Sequence, residues 1–147
     1  MKIVVDSREQ KPYTFTVPTR TATLATGDYS IAGAEHLISI ERKTPGDLIG
    51  SLSRHRDRFE MELHRGMALQ YFALVVESSL MDLSNGHYMS LMKPKAAIQS
   101  LLTFSIRYGL PIFFCENRDY GARVTESLLV KFAREMGKRA EMMEGTT

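Results

Sequence analysis

The sequence predicts one mixed α/β domain over residues 1–147, a sheet with helices packed on it. Three observations predict it. Short apolar runs, "KIVVD" (2–6), "YFALVVE" (71–77) and "PIFFC" (111–115), read as strands, the latter two buried on both faces. Between and after the last two lie stretches of helical periodicity, from about Lys95 to Tyr108 and from about Tyr120 to Met142. No linker-like segment, internal repeat or low-complexity tract divides the chain, and 147 residues at 44% hydrophobic content can bury a single core of ordinary size.

Taken in order, the first strand ends at Asp6. "TATLAT" (21–26) alternates weakly and stops at Gly27, while "AEHLISIERK" (34–43) alternates through Leu37 and Ile40, so the two are expected as neighbouring strands. Gly33 sits in the turn between "DYSI" and the latter. Thr44, Pro45 and Asp47 then form a helix start: a threonine cap, proline in the first position and a carboxylate three residues beyond the cap. A helix therefore follows that strand directly. Antiparallel strands are expected at the front of the chain and strands alternating with helices behind them.

Composition excludes several classes. No apolar run approaches membrane-spanning length and the N-terminus has no secretory h-region, so a soluble intracellular protein of cytoplasm or nucleoid is expected, with no membrane partner. A single cysteine, Cys115, excludes an internal disulfide and a thiolate metal cage. The net charge of +2, with a pI of about 8.7, only mildly favours an anionic partner. Distribution says more. Arg54, Arg56, Arg58 and Arg65, with His55 and His64, form a basic stretch that is either a solvated helix face or a phosphate track.

Asp6, Asp28 and Glu41 all fall at or near strand ends, and period-two alternation puts Lys43 on the same face as Glu41. Phosphodiester hydrolysis needs developing charge neutralised on phosphate oxygens and hydroxide near neutral pH. A divalent cation held by carboxylates supplies both. Magnesium keeps several waters and takes one or two protein carboxylates, so Asp28 and Glu41 suffice, with Lys43 orienting the attacking water or stabilising the charged transition state. Asp47 serves equally as a helix-start carboxylate, and the two roles are compatible. Alternation points Arg42 away from Glu41 and Lys43, which leaves its backbone carbonyl for the metal and its side chain for phosphate or a structural ion pair.

Glu-X-Lys alone carries little information; the ordered set carries more. "VVDSRE" (4–9), "GDYSI" (27–31) and "IERKTPGD" (40–47) resemble, in order and spacing, the nuclease domain of the XPF/Hef family of structure-specific endonucleases. The Gly-Asp, Glu-Arg-Lys and Asp positions of that signature are Gly27, Asp28, Glu41, Arg42, Lys43 and Asp47, and Arg58, Phe59, Glu62 and Leu63 fall where the family has a helix beside the site. The resemblance implies a restriction-endonuclease-like core, a Mg2+- or Mn2+-dependent endonuclease acting on DNA, and Asp6 as an additional active-site carboxylate. It further implies that Arg8 and Arg42 face phosphates and that the nuclease domain forms a homodimer; the basic stretch, where it is a phosphate track rather than a solvated face, adds Arg54, Arg56 and Arg58. Full-length members carry a helix-hairpin-helix module and many a helicase-like region; the 147 residues include neither.

Branched or single-strand-containing DNA is the expected substrate. Two other readings are a non-catalytic nuclease-fold subunit, against which the retained Asp28, Glu41 and Lys43 argue, and a phosphodiesterase acting on RNA or a small nucleotide. Homodimerisation has support in the 95–108 segment, where Ala97, Ile98, Leu101, Leu102, Phe104, Ile106 and Tyr108 wrap most of the way round a helix. The final helix adds Val124, Leu128, Phe132 and Met136 at spacing four.

Overall fold

The computed structural model describes residues 1–145, so the last two positions of the expected domain lie outside the described residues. In chain order the elements are β1 (Ile3–Asp6), β2 (Thr19–Ala22), β3 (Tyr29–Ile31), β4 (Ile38–Lys43), α1 (Pro45–Leu52), α2 (Arg56–Gly66), β5 (Tyr71–Val76), α3 (Leu80–Ser84), α4 (Pro94–Tyr108), β6 (Ile112–Phe114) and α5 (Arg118–Gly145). The strands form one six-stranded sheet in the order β2-β1-β3-β4-β5-β6. β1, β3 and β4 run antiparallel, β4, β5 and β6 parallel, and β2 lies parallel to β1.

Each face of the sheet has its own core. Phe72, Leu74 and Val76 of β5 meet Leu48, Ile49, Leu52, Phe59, Leu63 and Phe104 from the helices on one face. Ala73 and Val75 point the other way and join Ile3, Tyr13, Tyr29, Ile40 and Leu129. A strand covered on both faces needs apolar residues at every position, which is why "YFALVV" shows no alternation. α1 begins as its sequence dictates: Thr44 Oγ1 accepts the Asp47 N–H at 3.3 Å, with Pro45 in the first turn.

Three expectations are corrected. The strand read from "TATLAT" spans Thr19–Ala22 and lies beside β1 on the exposed edge, with β1 and β3 between it and β4. The apparent alternation came from Leu24, which is buried in the following loop with its N–H on the Asp6 carboxylate. β6 is the opposite edge and only half buried, because no strand covers its outer side. In α4, Leu101 and Phe104 are core residues, whereas Leu102 and Ile106 are exposed (55% and 86%), so only part of the apolar girth faces outward.

Gly27 positions the site. Its φ is +81°, and a Cβ there would stand 1.9 Å from Ser39 Oγ, so the chain can pass only as glycine. Ser39 Oγ donates to the Thr26 carbonyl at 2.8 Å, and Asp28 N–H donates to the Ile40 carbonyl at 2.8 Å. The turn thereby lays Asp28 alongside β4.

Candidate active site

The pairing of Tyr29 with Ile40 sets Asp28 against Glu41 across the β3–β4 junction. Asp28 Oδ2 accepts the Arg42 N–H at 2.7 Å. Glu41 is 5% exposed, and Lys43 Nζ lies 3.4 Å from its Oε2 and 5.2 Å over the Phe59 ring of α2. The two carboxyls stand side by side, Glu41 buried and Asp28 partly so, with Lys43 as the adjacent cation. Burial pushes Asp28 up to about 6, assisted by the charges of Glu9 and Glu62 and opposed by hydrogen bonds from Glu41 and Arg42. Burial, then Asp28 and Glu62, push Glu41 well above the carboxylate range, with Lys43 pulling the other way. Both shifts run the same way, so burial and the mutual charge of the pair favour the protonated forms, most strongly at Glu41.

Asp6 is held differently from its neighbours. Its Oδ1 accepts from Leu24 N–H at 2.8 Å and Arg8 Nη2 at 3.1 Å, and its Oδ2 from Arg8 Nε at 2.9 Å and Arg8 N–H at 3.2 Å. Burial alone raises its pKa, but the Arg8 side chain and the two backbone N–H groups outweigh burial and leave it below the usual range. Expected as a further acid beside Asp28, Asp6 is instead saturated by chain partners. Arg8, thus anchored, still exposes 66% of its side chain.

Two basic side chains expected at phosphate are taken up internally. Arg42 is enclosed behind the sheet, with Nε 2.6 Å from Glu77 and Nη1 3.1 Å from Glu9, its guanidinium 4.2 Å from the Tyr13 ring centre. Of the two roles left open for this guanidinium, the geometry is that of the ion pair. Arg56 lies over Phe104 at 4.7 Å and donates to Ser100 Oγ and the Leu52 carbonyl, stapling α2 to α4 and α1. Arg54 and Arg58 are exposed: with partial desolvation, their charges and that of Lys43 lower the pKa of His55. Asp47 is exposed and lines a groove of about 410 Å³ with Arg8, Gln10, Lys11, Arg42 and Thr44, while its N–H donates to the capping hydroxyl of Thr44.

Sequence reasoning passed over Glu77 and Tyr13 and gave Glu62 no role of its own. Glu62 was accessible to it, since Phe59 and Leu63 mark the inward face of α2 and Glu62 falls beside them. Glu77 and Tyr13 had no local signal.

The family model described as the ERCC4 domain matches residues 5–128. The chain belongs to the ERCC4 domain family. Its fold matches the solved structure of XPF from Aeropyrum pernix with a TM-score of 0.75 at 23% identity, over 93% of this chain and 64% of that one. XPF from the same organism in complex with DNA matches with a TM-score of 0.70 at 20% identity, over 91% and 66%. The ERCC4 domain chain thus spans somewhat under two thirds of the first of these, and it shares their restriction-endonuclease-like core. Comparison with curated proteins gives no match.

The acid pair generates a pH signature. A carboxyl whose folded pKa of about 6 exceeds its ordinary 3.8 binds more protons folded than unfolded; its contribution is fully present below about pH 4 and lost as pH rises through 6. In chelator, stability should therefore fall between pH 4 and 7, and Asp28→Asn should remove part of that slope, the rest belonging to the more buried Glu41, and stabilise the protein at pH 7.5 by on the order of 2 kcal/mol. Urea unfolding across that pH range measures it; an unchanged slope in Asp28→Asn would mean that the pair is not strained.

Proposed function

We propose that this ERCC4 domain is a divalent-cation-dependent endonuclease that cuts branched or single-strand-containing DNA in repair or recombination. The observation that carries the proposal is the buried Asp28–Glu41 pair with Lys43 beside it, in a fold shared with XPF. The complex of XPF from Aeropyrum pernix with DNA supports DNA as the substrate.

The donor set fits a hard cation. Two carboxyls are packed together where ionising both is costly, and a cation relieves that repulsion. In an extended strand the N–H and C=O of one residue leave on the same side. Arg42 N–H donates to Asp28, so the Arg42 carbonyl shares that edge and would be a third ligand. Among the described residues no three His, Cys, Asp or Glu side chains converge on one cation position, so water would fill the remaining coordination, as Mg2+ or Mn2+ accepts.

When bound, the cation supplies Lewis-acid polarisation of the scissile phosphate and an acidified water. Asp28 and Glu41 would hold it as carboxylates, its charge offsetting the repulsion that raises both. Lys43, kept in place by Glu41 and the Phe59 ring, puts a positive charge against the phosphate or the attacking water. Arg8, fixed by Asp6, and the exposed Arg54 and Arg58 contact flanking phosphates. Asp6 acts through Arg8, the Arg42 guanidinium braces β4, and Asp47 borders the cleft.

The working form is a homodimer joined through the outer face of α4, where Leu102 and Ile106 are exposed. Two joined domains raise the effective concentration of phosphate contacts for a chain of net charge +2. No helix among the described residues is long and apolar enough to cross a membrane, and an intracellular site of action suits a DNA substrate.

Cleavage of a branched DNA should vanish in chelator and return with Mg2+ or Mn2+, and Lys43→Ala should lose about 100-fold or more in rate while still binding cation. Full activity in chelator, or preference for RNA of the same sequence, would overturn this reading. Sedimentation at micromolar concentration without DNA should show a dimer that Ile106→Glu converts to monomer; a monomeric parent would refute the assembly. Leu101, buried in the core at 1% exposure, is unsuitable for that test.

A further inference from the structure

α2 brings a third acid to the site. Phe59 and Leu63, at 2% and 1% exposure, turn one face of α2 inward, and the Phe59 ring carries Lys43 Nζ at 5.2 Å. Glu62 lies three residues after Phe59, one helical turn on, and projects from that same side. Its backbone carbonyl accepts from Thr26 Oγ1 at 3.5 Å, which sets this turn of α2 against the segment leading into Asp28. Its carboxylate is half-buried and has no hydrogen-bond or ion-pair partner among the described residues. It is nonetheless close enough to Asp28, Glu41 and Arg8 for its charge to act on all three.

A solvated helix face would put this carboxylate in water, away from other acids. Here it adds to the repulsion on Asp28 and Glu41, which Arg8 and Lys43 offset only in part because each is also engaged by a closer acid, Arg8 by Asp6 and Lys43 by Glu41. A cation held by Asp28 and Glu41 would relieve the remaining repulsion among the three acids. They do not converge closely enough for all three to ligate a single cation directly. A cation that retains several waters offers the other mode, a carboxylate accepting from a metal-bound water.

We propose that Glu62 is a positioning residue that accepts a hydrogen bond from a water on the cation held by Asp28 and Glu41, and thereby sets cation affinity and the orientation of that water. The inference rests on the nuclease reading of the same site. Calorimetric titration of the full chain with Mn2+ in the absence of DNA tests it, alongside the melting temperature in chelator. Glu62→Gln should weaken Mn2+ binding about 10-fold. Its melting temperature in chelator should equal or exceed the parent's, because a like charge has gone, and Glu62→Asp should recover most of the affinity. Mn2+ binding unchanged in Glu62→Gln would overturn the role, and so would a lowered melting temperature in chelator, which would mark Glu62 as a packing residue. Asp28→Asn separates the two levels of the argument. If it abolishes binding while Glu62→Gln leaves it intact, only the role of Glu62 fails; if the parent binds no Mn2+, the nuclease reading fails with it.

Discussion

Behind the strand that carries Glu41 and Lys43, Arg42 is closed in by Glu77, Glu9 and the ring of Tyr13, and the arrangement of the whole front end follows from that contact. Arg42 also donates to the Lys11 carbonyl at 2.7 Å, so one guanidinium ties β4 to the end of β5 and to the loop after β1. Tyr13 donates its hydroxyl to Glu77, and Tyr29 donates to Glu9 at 2.6 Å; burial raises both phenols, which keeps them protonated donors. α5 closes the cage: a Cβ on Gly121 would come within 2.3 Å of the Tyr13 hydroxyl. A buried ion pair adds little net stability, but removing one partner strands the other and costs about 3–5 kcal/mol. Its work is to hold one geometry.

Period-two alternation converts that geometry into a site. Each residue of β4 that faces the cage is flanked by one facing the opposite way, so bracing Arg42 from behind fixes Glu41 and Lys43 in front. What is fixed there is unfavourable for the chain on its own: two carboxyls share a buried corner, and the neighbouring Lys43 is engaged by one of them. Strained groups of this kind persist only where the surrounding structure over-determines them. Here the two apolar cores, one on each face of the sheet, supply the rigidity.

How much of this was legible in the sequence depends on whether the signal was local. Asp28, Glu41 and Lys43 come together as read, because the alternation of β4 and the Gly27 turn are properties of a few adjacent residues. The helix start at Thr44 was equally local. Arg42 shows the limit: alternation turned its side chain to the rear, but its partners Glu77 and Tyr13 lie far along the chain, so ion pair and phosphate contact were equally open. Arg56 failed for the same reason. Within its own segment it is one of several exposed-looking arginines, and only the packing of α4 brings Ser100 and Phe104 against it. Asp6 was placed at the right strand end, yet the Leu24 N–H that helps to saturate it arrives through a loop misread as strand. α3, five residues capped by Ser79, was too short to leave a periodic trace.

The central claim is that the strained acid pair exists to hold a cation, and the most direct measurement is anomalous diffraction from crystals grown with Mn2+. A single peak at about 2.1 Å from carboxylate oxygens of both Asp28 and Glu41, with the Arg42 carbonyl as a further ligand, is the predicted result. Density elsewhere on the chain, or an Asp28–Glu41 pair that stays empty at saturating Mn2+ and neutral pH, would contradict it.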